Sequence, residues 1–314
     1  MRTRHLVLLF AIAMLAGSCA TPSGTATPPA ASGGLPSHSS TQQPSAVPTE
    51  SPSTLPSAVP TATASASSSQ VPNPTNPPVP CTGGVNLASA SGPAAPLVRA
   101  GSRSQRVIAI TVDDGASDAA VLADLGVFEQ EHVNATFFPI GEYVEGSPNV
   151  WREVAAAGFP IGNHTYDHRN LECLSYLDVV ADIERDNAVV SRIIGEPLLP
   201  ILRPPGGYVD TLVLQAADAA GERYVVKWDT DDGDTARNGD NVPLIIANAE
   251  KGGPGSILLV HANRPYTQQA LPAIIAFYRT RGFAFVTLGQ MLGIEGPVPY
   301  RLQAEAGPTG PRPV

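Results

Sequence analysis

Residues able to do acid–base or metal chemistry recur in this chain in a fixed relation to apolar runs. Ile110-Thr111-Val112-Asp113-Asp114-Gly115 sets two adjacent carboxylates where a β-branched run gives way to glycine. Neighbouring side chains at a strand end point in different directions, so one can ligate a cation while the other takes a proton. Downstream, Asn163-His164-Thr165-Tyr166-Asp167-His168 places two imidazoles at the i, i+4 spacing used by metal-binding pairs. Two imidazoles and the carboxylate of Asp114 leave coordination positions open for water, the donor set of a catalytic rather than a structural zinc. Cobalt, nickel and iron suit the same donors, so Zn2+ is the first expectation among divalent metals. Arg203 before Pro204-Pro205, the run Asp231-Asp232-Gly233-Asp234, and His261 after Leu259-Val260 complete the set. Each alone has a plainer explanation: an Asp-Gly turn, a surface arginine, a solvated acidic loop, a core histidine.

What joins them is their place relative to the elements that would carry them. From Arg106 onward, short β-branched runs alternate with longer segments of helical period, the pattern of βα units around a parallel sheet. Strands are predicted at 107–112, 135–140, 160–163, 200–202, 224–228, 256–261 and 284–287. Helices are predicted at 118–131, 148–157, 176–194, 211–220, 242–250, 268–281 and 289–292. Asp113, Asp114, His164, His168, Arg203, Asp231 and His261 all fall at or just past the C-terminal end of a predicted strand, the active-site face of an α/β barrel. An open doubly wound sheet is the rival, since periodicity does not say whether a sheet closes.

The rest of the chain reads as a means of placing that domain. Residues 1–19 form a signal peptide: a charged start, an apolar run from Leu6 to Leu15, and Ala16-Gly17-Ser18 before Cys19. That end is lipobox-like and predicts a lipid anchor at Cys19 on the outer face of a bacterial membrane, with free secretion the alternative. A Cys19→Ala chain that still fractionates with membranes would overturn the anchor. Residues 20–82 are a Pro/Ser/Thr/Ala-rich linker expected to be disordered, and between Arg4 and Arg99 the only acidic or basic charge is Glu50. Roughly 60 such residues reach toward ~190 Å at ~3.1 Å each when extended. A lead-in segment (83–105), a catalytic domain (106–294) and a flexible Pro/Gly-rich tail (295–314) follow. Cys81 and Cys173 could pair in an oxidising compartment. The net charge of −9 and the lack of a basic cluster argue against a nucleic-acid partner.

Taken in order, Thr111-Val112-Asp113-Asp114-Gly115, His164 with His168, Arg203-Pro204-Pro205-Gly206-Gly207, Asp231-Asp232-Gly233-Asp234 and Leu259-Val260-His261 resemble the five motifs of the polysaccharide deacetylases, the NodB-homology enzymes of carbohydrate esterase family 4. The resemblance spans about 106–292. It implies a distorted (β/α)7 barrel, a divalent metal, and hydrolysis of N-acetyl groups on an amino-sugar polymer. By position it makes Asp113 the general base, Asp114, His164 and His168 the metal ligands, Arg203 the partner of the base, and His261 the general acid. A fourth-motif aspartate would tune a catalytic partner. Two departures stand out: Gly206 occupies the family's tyrosine position, and Thr235 follows Asp234 where the family has tryptophan. The tuning role is therefore open between Asp234 and Asp231, and the oxyanion donor is expected to be the Gly206 N–H. Tyr208 and Trp228 are candidate stacking surfaces for a sugar, with core packing the alternative for Trp228. The expected substrate is a cell-envelope polysaccharide, peptidoglycan or chitin-like. The alternatives are an O-acetyl esterase of the xylan type and a catalytically silent carbohydrate-binding domain.

Overall fold

Strand β2 (Val107–Asp114) organises the domain because it is buried almost from end to end, with a parallel partner on each side. The computed structural model describes Cys81 and residues 92–294. The expected signal peptide, the linker up to Cys81 and the tail lie outside the described residues. Around β2 run β3 (Ala135–Pro139), β4 (Gly162–Asn163), β5 (Leu199–Leu202), β6 (Tyr224–Val226), β7 (Thr230–Asp231) and β8 (Ser256–His261). One sheet has the order β3-β2-β8-β7, the other β6-β5-β4, and a parallel bridge from Phe137 to Ile161 joins β3 to β4. Seven strands thus follow one another in barrel order, all parallel, with helices in the crossovers as parallel pairing requires. These helices are α1 (Asp118–Glu131), α2 (Gly141–Gly146), α3 (Pro148–Ala156), α4 (Tyr176–Ile194), α5 (Thr211–Ala219), α6 (Val242–Ala249) and α7 (Pro265–Thr280).

Closure is visible in the packing. Ala109, Phe138, Ile201, Val226 and Ile257, one each from β2, β3, β5, β6 and β8, form a single buried cluster. Strands of one open sheet would not bring these residues together, and such a filled interior is what a small barrel needs. Each large apolar side chain so buried contributes roughly 1.5–3 kcal/mol. Between β6 and β7 no ladder forms among the described residues, which is the distortion. The lead-in segment supplies β1 (Leu97–Val98), which pairs with β6, and Ala100 then bridges Ser256. Sheet-forming chain therefore begins upstream of the expected start at 106.

The helices start where side chains cap them. Ser117, Ser175, Asp210 and Asn241 accept backbone N–H bonds at the starts of α1, α4, α5 and α6. Helix α7 begins at Pro265 rather than the predicted Gln268, since proline at the first turn is pre-set for a helix. The predicted strands at 160–163, 224–228 and 284–287 are shorter than expected, the last forming only Ala284–Phe285 beside β2, while α2, β1 and β7 went unpredicted because two to six residues carry too little pattern. A disulfide joins Cys81 to Cys173, with Cα atoms 5.4 Å apart, so the expected pairing forms. Cys173 closes a 3-10 turn just after the His164–His168 loop. No helix among the described residues is long and apolar enough to cross a membrane.

Candidate active site

The β2 end divides its two carboxylates by backbone conformation. Asp114 adopts φ +77° and Gly115 φ +90°, so the chain reverses direction within the turn. A side chain at Gly115 would also meet Trp151 at 2.4 Å, which leaves glycine as the residue that fits. A left-handed aspartate costs on the order of 1 kcal/mol. Bonds from Ile140 N to the Asp114 carbonyl (3.0 Å) and from Asn263 Nδ2 to Asp114 Oδ2 (3.1 Å) hold it there. Asp114 consequently faces the histidines, while Asp113 faces Arg203.

The histidine loop leaves β4 and is clamped by α4. Asn163 Nδ2 donates to Ile183 O and its Oδ1 accepts from Thr165 N, while Asp182 Oδ1 accepts from Tyr166 N and Asp167 N. Thr165 and His168 take φ +65° and +52°, turning the loop tightly enough to bring the two rings edge to face with centroids 4.8 Å apart. His164 Nδ1 lies 2.7 Å from Arg203 O, an acceptor only, so Nδ1 carries the proton and Nε2 presents a lone pair. Both Nε2 atoms stand 3.5 Å from Asp114 Oδ1. Ligand atoms ~2.0–2.1 Å from a tetrahedral centre stand roughly 3.4 Å apart, so this donor set fits a cation of zinc's size. Burial, reinforced by His164, pushes His168 down to about 4, leaving a neutral imidazole able to ligate. Burial alone would raise the Asp114 carboxyl, but the His164 hydrogen bond and the surrounding imidazoles hold it below the usual carboxylate range.

Asp113 is held from the opposite side. Arg203 is fully buried and donates from Nη1 to Asp113 Oδ1 (2.9 Å) and Oδ2 (3.0 Å), from Nη2 to Thr111 Oγ1 (3.1 Å), and from Nε to Val226 O (2.9 Å). The guanidinium carbon is 4.8 Å from the Phe138 ring and 5.3 Å from that of Trp228. Trp228 thereby covers the arginine, packs on the barrel's inner cluster, and donates Nε1–H to Asp231. These contacts are the packing role that the sequence reading set beside sugar stacking for Trp228, whose ring is half-buried. Tyr208 follows the Pro205–Gly207 turn, half-buried, and Gly206 within that turn is exposed at φ +62°.

His261 is the register partner of Asp113. Its Nδ1 lies 2.8 Å from Asp234 Oδ1, and Asp234 Oδ2 accepts from His261 N (2.9 Å) and Thr267 Oγ1 (2.8 Å). Burial alone would lower the imidazole, but the charge and hydrogen bond of Asp234, helped by Asp114 and Asp113, lift it to about 10. Asp231 commits its oxygens to Gly233 N and Trp228 Nε1 instead, so between the two candidates Asp234 is the partner of His261. Sequence reasoning passed over Asn263, Thr267, Thr111 and Asp182. Asn263, two residues beyond His261, sits where the other site residues sit relative to their strands, a signal that could have found it.

Comparison with known proteins agrees with this geometry. The family model described as polysaccharide deacetylase matches residues 100–225. A peptidoglycan-N-acetylglucosamine deacetylase of Bacillus cereus is 34% identical over 194 residues, covering 60% of this chain and 89% of that protein. A chitooligosaccharide deacetylase of Azorhizobium caulinodans is 30% identical over 202 residues, covering 59% of this chain and 94% of that protein. Among solved structures, the Bc1960 peptidoglycan N-acetylglucosamine deacetylase superposes with a TM-score of 0.59 at 30% identity, covering 63% of this chain and 92% of that one. With a relative at this identity matched over nearly its whole length, the chain belongs to the polysaccharide deacetylase family of hydrolases.

Proposed function

We propose that this enzyme removes N-acetyl groups from an amino-sugar polysaccharide of the cell envelope, peptidoglycan first and chitin-like polymers second. The observation that supports it best is the placement of an arginine-bound carboxylate and an aspartate-bound imidazole on adjacent strands beside three convergent ligand atoms. Asp114, His164 and His168 would hold a divalent cation, zinc before cobalt, nickel or iron, and when bound it supplies Lewis acidity toward water and the acetyl carbonyl. Asp113, oriented by the Arg203 guanidinium, accepts the proton of the attacking water. His261, kept protonated by Asp234, gives its proton to the amide nitrogen as the C–N bond breaks, because an amide anion is too basic to leave unaided. The backbone N–H of Gly206 is the oxyanion donor in this reading. The strength of the Asp234–His261 pairing favours an amide over an ester, whose alkoxide leaves with less help from an acid.

Export, a Cys19 lipid anchor and the linker would place the domain in the envelope, and a disulfide suits an oxidising compartment. In the same reading 1–19 is removed or lipidated, 20–82 is a tether and the catalytic domain ends near 294. The test is acetate release from peptidoglycan, chitooligosaccharides and acetylxylan, with and without chelator. Asp113→Asn should lower turnover by about 10²- to 10⁴-fold with metal content intact, whereas Asp114→Asn should lower both. No release from any of the three substrates by the zinc-loaded wild type would overturn the proposal.

A further inference from the structure

Beyond His261 the active-site face continues into a second cleft of 260 Å³, lined among others by Asp234, Arg237, Asp240, Asn263, Arg264 and Tyr266. At ~30 Å³ per water this volume holds roughly nine waters, room for one sugar unit or a substituent of one. It abuts the reaction centre on two sides, since Asn263 reaches Asp114 Oδ2 at 3.1 Å and Asp234 grips His261 at 2.8 Å.

Two arginines in one small cleft are unexpected in a chain of net charge −9. Arg103, Arg169, Arg185, Arg192, Arg203 and Arg279 are each paired with a carboxylate. Among the described residues Arg237 and Arg264 have no such partner, and neither do Arg99, Arg106, Arg152, Arg223 and Arg281, so what sets this cleft apart is the state of Arg264. Arg264 goes further: its Nε is buried without any hydrogen-bond acceptor, a donor that is costly to leave unmade. The carboxylates in the cleft do not answer it. Asp234 is committed to His261 and Thr267, and exposed Asp240 forms no ion pair with either arginine. Helix α7 also begins at Pro265, so its positive end lies beside Arg264. At the lip Tyr266 is 40% exposed, offering a flat face to a sugar ring.

We propose that this cleft binds a carboxylate carried by the glycan, on the acetamido sugar or on the residue next to it, so that the enzyme selects acidic N-acetyl saccharides over neutral ones. A carboxylate matches the planar fork of Arg264, and Arg237 adds charge from the rim. The inference rests on the deacetylase reading for its place in catalysis but not for binding itself.

The test uses two oligosaccharides of equal length and the zinc-loaded enzyme. One is built of neutral N-acetylglucosamine alone, and in the other alternate residues carry a 3-O-lactyl carboxylate. Affinity is measured by calorimetry and acetate release by kcat/KM. Wild type should prefer the acidic glycan. In Arg264→Gln the acidic-to-neutral ratio should fall by about tenfold, through KM, and in exposed Arg237→Gln by roughly two- to threefold. Raising the salt concentration should shrink the wild-type preference in the same sense. Equal affinity of the wild type for both glycans, or a ratio unchanged in Arg264→Gln, would overturn the proposal. If the wild type binds the acidic glycan in an Arg264-dependent way yet releases no acetate from either, the cleft stands and the deacetylase reading falls.

Discussion

Asp113 and His261 are register neighbours on β2 and β8, yet the chain holds them by opposite means. Asp113 faces a buried arginine whose guanidinium is fixed by bonds to Thr111 and Val226 and sandwiched by Phe138 and Trp228. That partner cannot lose its charge at any pH the protein survives. His261 faces Asp234, and the group being held is itself the one that titrates. The base side is thus a fixed charge, and the acid side a charge pair whose existence depends on pH. A proton acceptor needs only to stay ionised, whereas a donor must be able to give its proton up and regain it. The two modes of support follow from that difference.

The sharpest way to break the contrast is to remove the fixed charge. Arg203→Met leaves Asp113 buried and unpaired, which should destabilise the fold by about 3–5 kcal/mol. It should also lower kcat by about 10³-fold through loss of an oriented base. Urea unfolding and acetate release measure the two effects. Because the methionine protein is at risk of not folding, Arg203→Lys is the companion. It keeps the charge but replaces a four-bond fork with a single ammonium, and should fold while losing about 10²-fold in kcat. Full activity in the lysine protein would show that charge alone, without the fork's orientation, supports Asp113.

What could be read in advance divides along similar lines. Asp113, Asp114, His164, His168, Arg203 and His261 were legible because a polar side chain ending an apolar run is conspicuous, and strand ends of a parallel barrel converge on one face. The barrel was legible for the same reason. Asn263 carried the same positional signal just past a strand end, but its partner did not show, since its bond to Asp114 exists only because the β2–β8 register brings together residues 149 apart in sequence. Nor could spacing choose between Asp231 and Asp234. That choice is made by a turn in which Gly233 takes φ +74° and Gly239 packs so closely that a Cβ would lie 1.9 Å from Asp234 O. For Trp228 the sequence left packing and sugar stacking both open; its contact with Arg203 arises because it stands two residues beyond Val226, the residue that accepts from Arg203 Nε.

The smaller and more informative perturbation is Asp234→Asn. The amide keeps the side chain's shape but removes the charge that overcomes burial, so the imidazole of His261 should fall from about 10 toward neutrality. In wild type the alkaline limb of kcat/KM should therefore lie well above neutral pH, and in the variant it should move down, with kcat/KM reduced by about 10²-fold at its maximum. Asp232, pushed up to about 9 by burial and by Asp234, titrates on the same limb, and an Asp232→Asn control separates its contribution. Both enzymes are compared at equal metal content, since a cation on Asp114 opposes the imidazolium in each. Stability carries the same signature. Because the folded pKa of His261 is raised above its ordinary 6.5, its pairing contributes fully below that pH and is lost as pH rises through about 10. The Asp234 carboxyl is held below its ordinary 3.8, so its share is present above that value and lost in acid. The stability gap between wild type and Asp234→Asn should therefore be widest between 3.8 and 6.5 and should close toward 10. Urea midpoints across that range read it directly, and a gap that persists undiminished at pH 10, with an alkaline limb that does not move, would mean that Asp234 positions His261 without charging it.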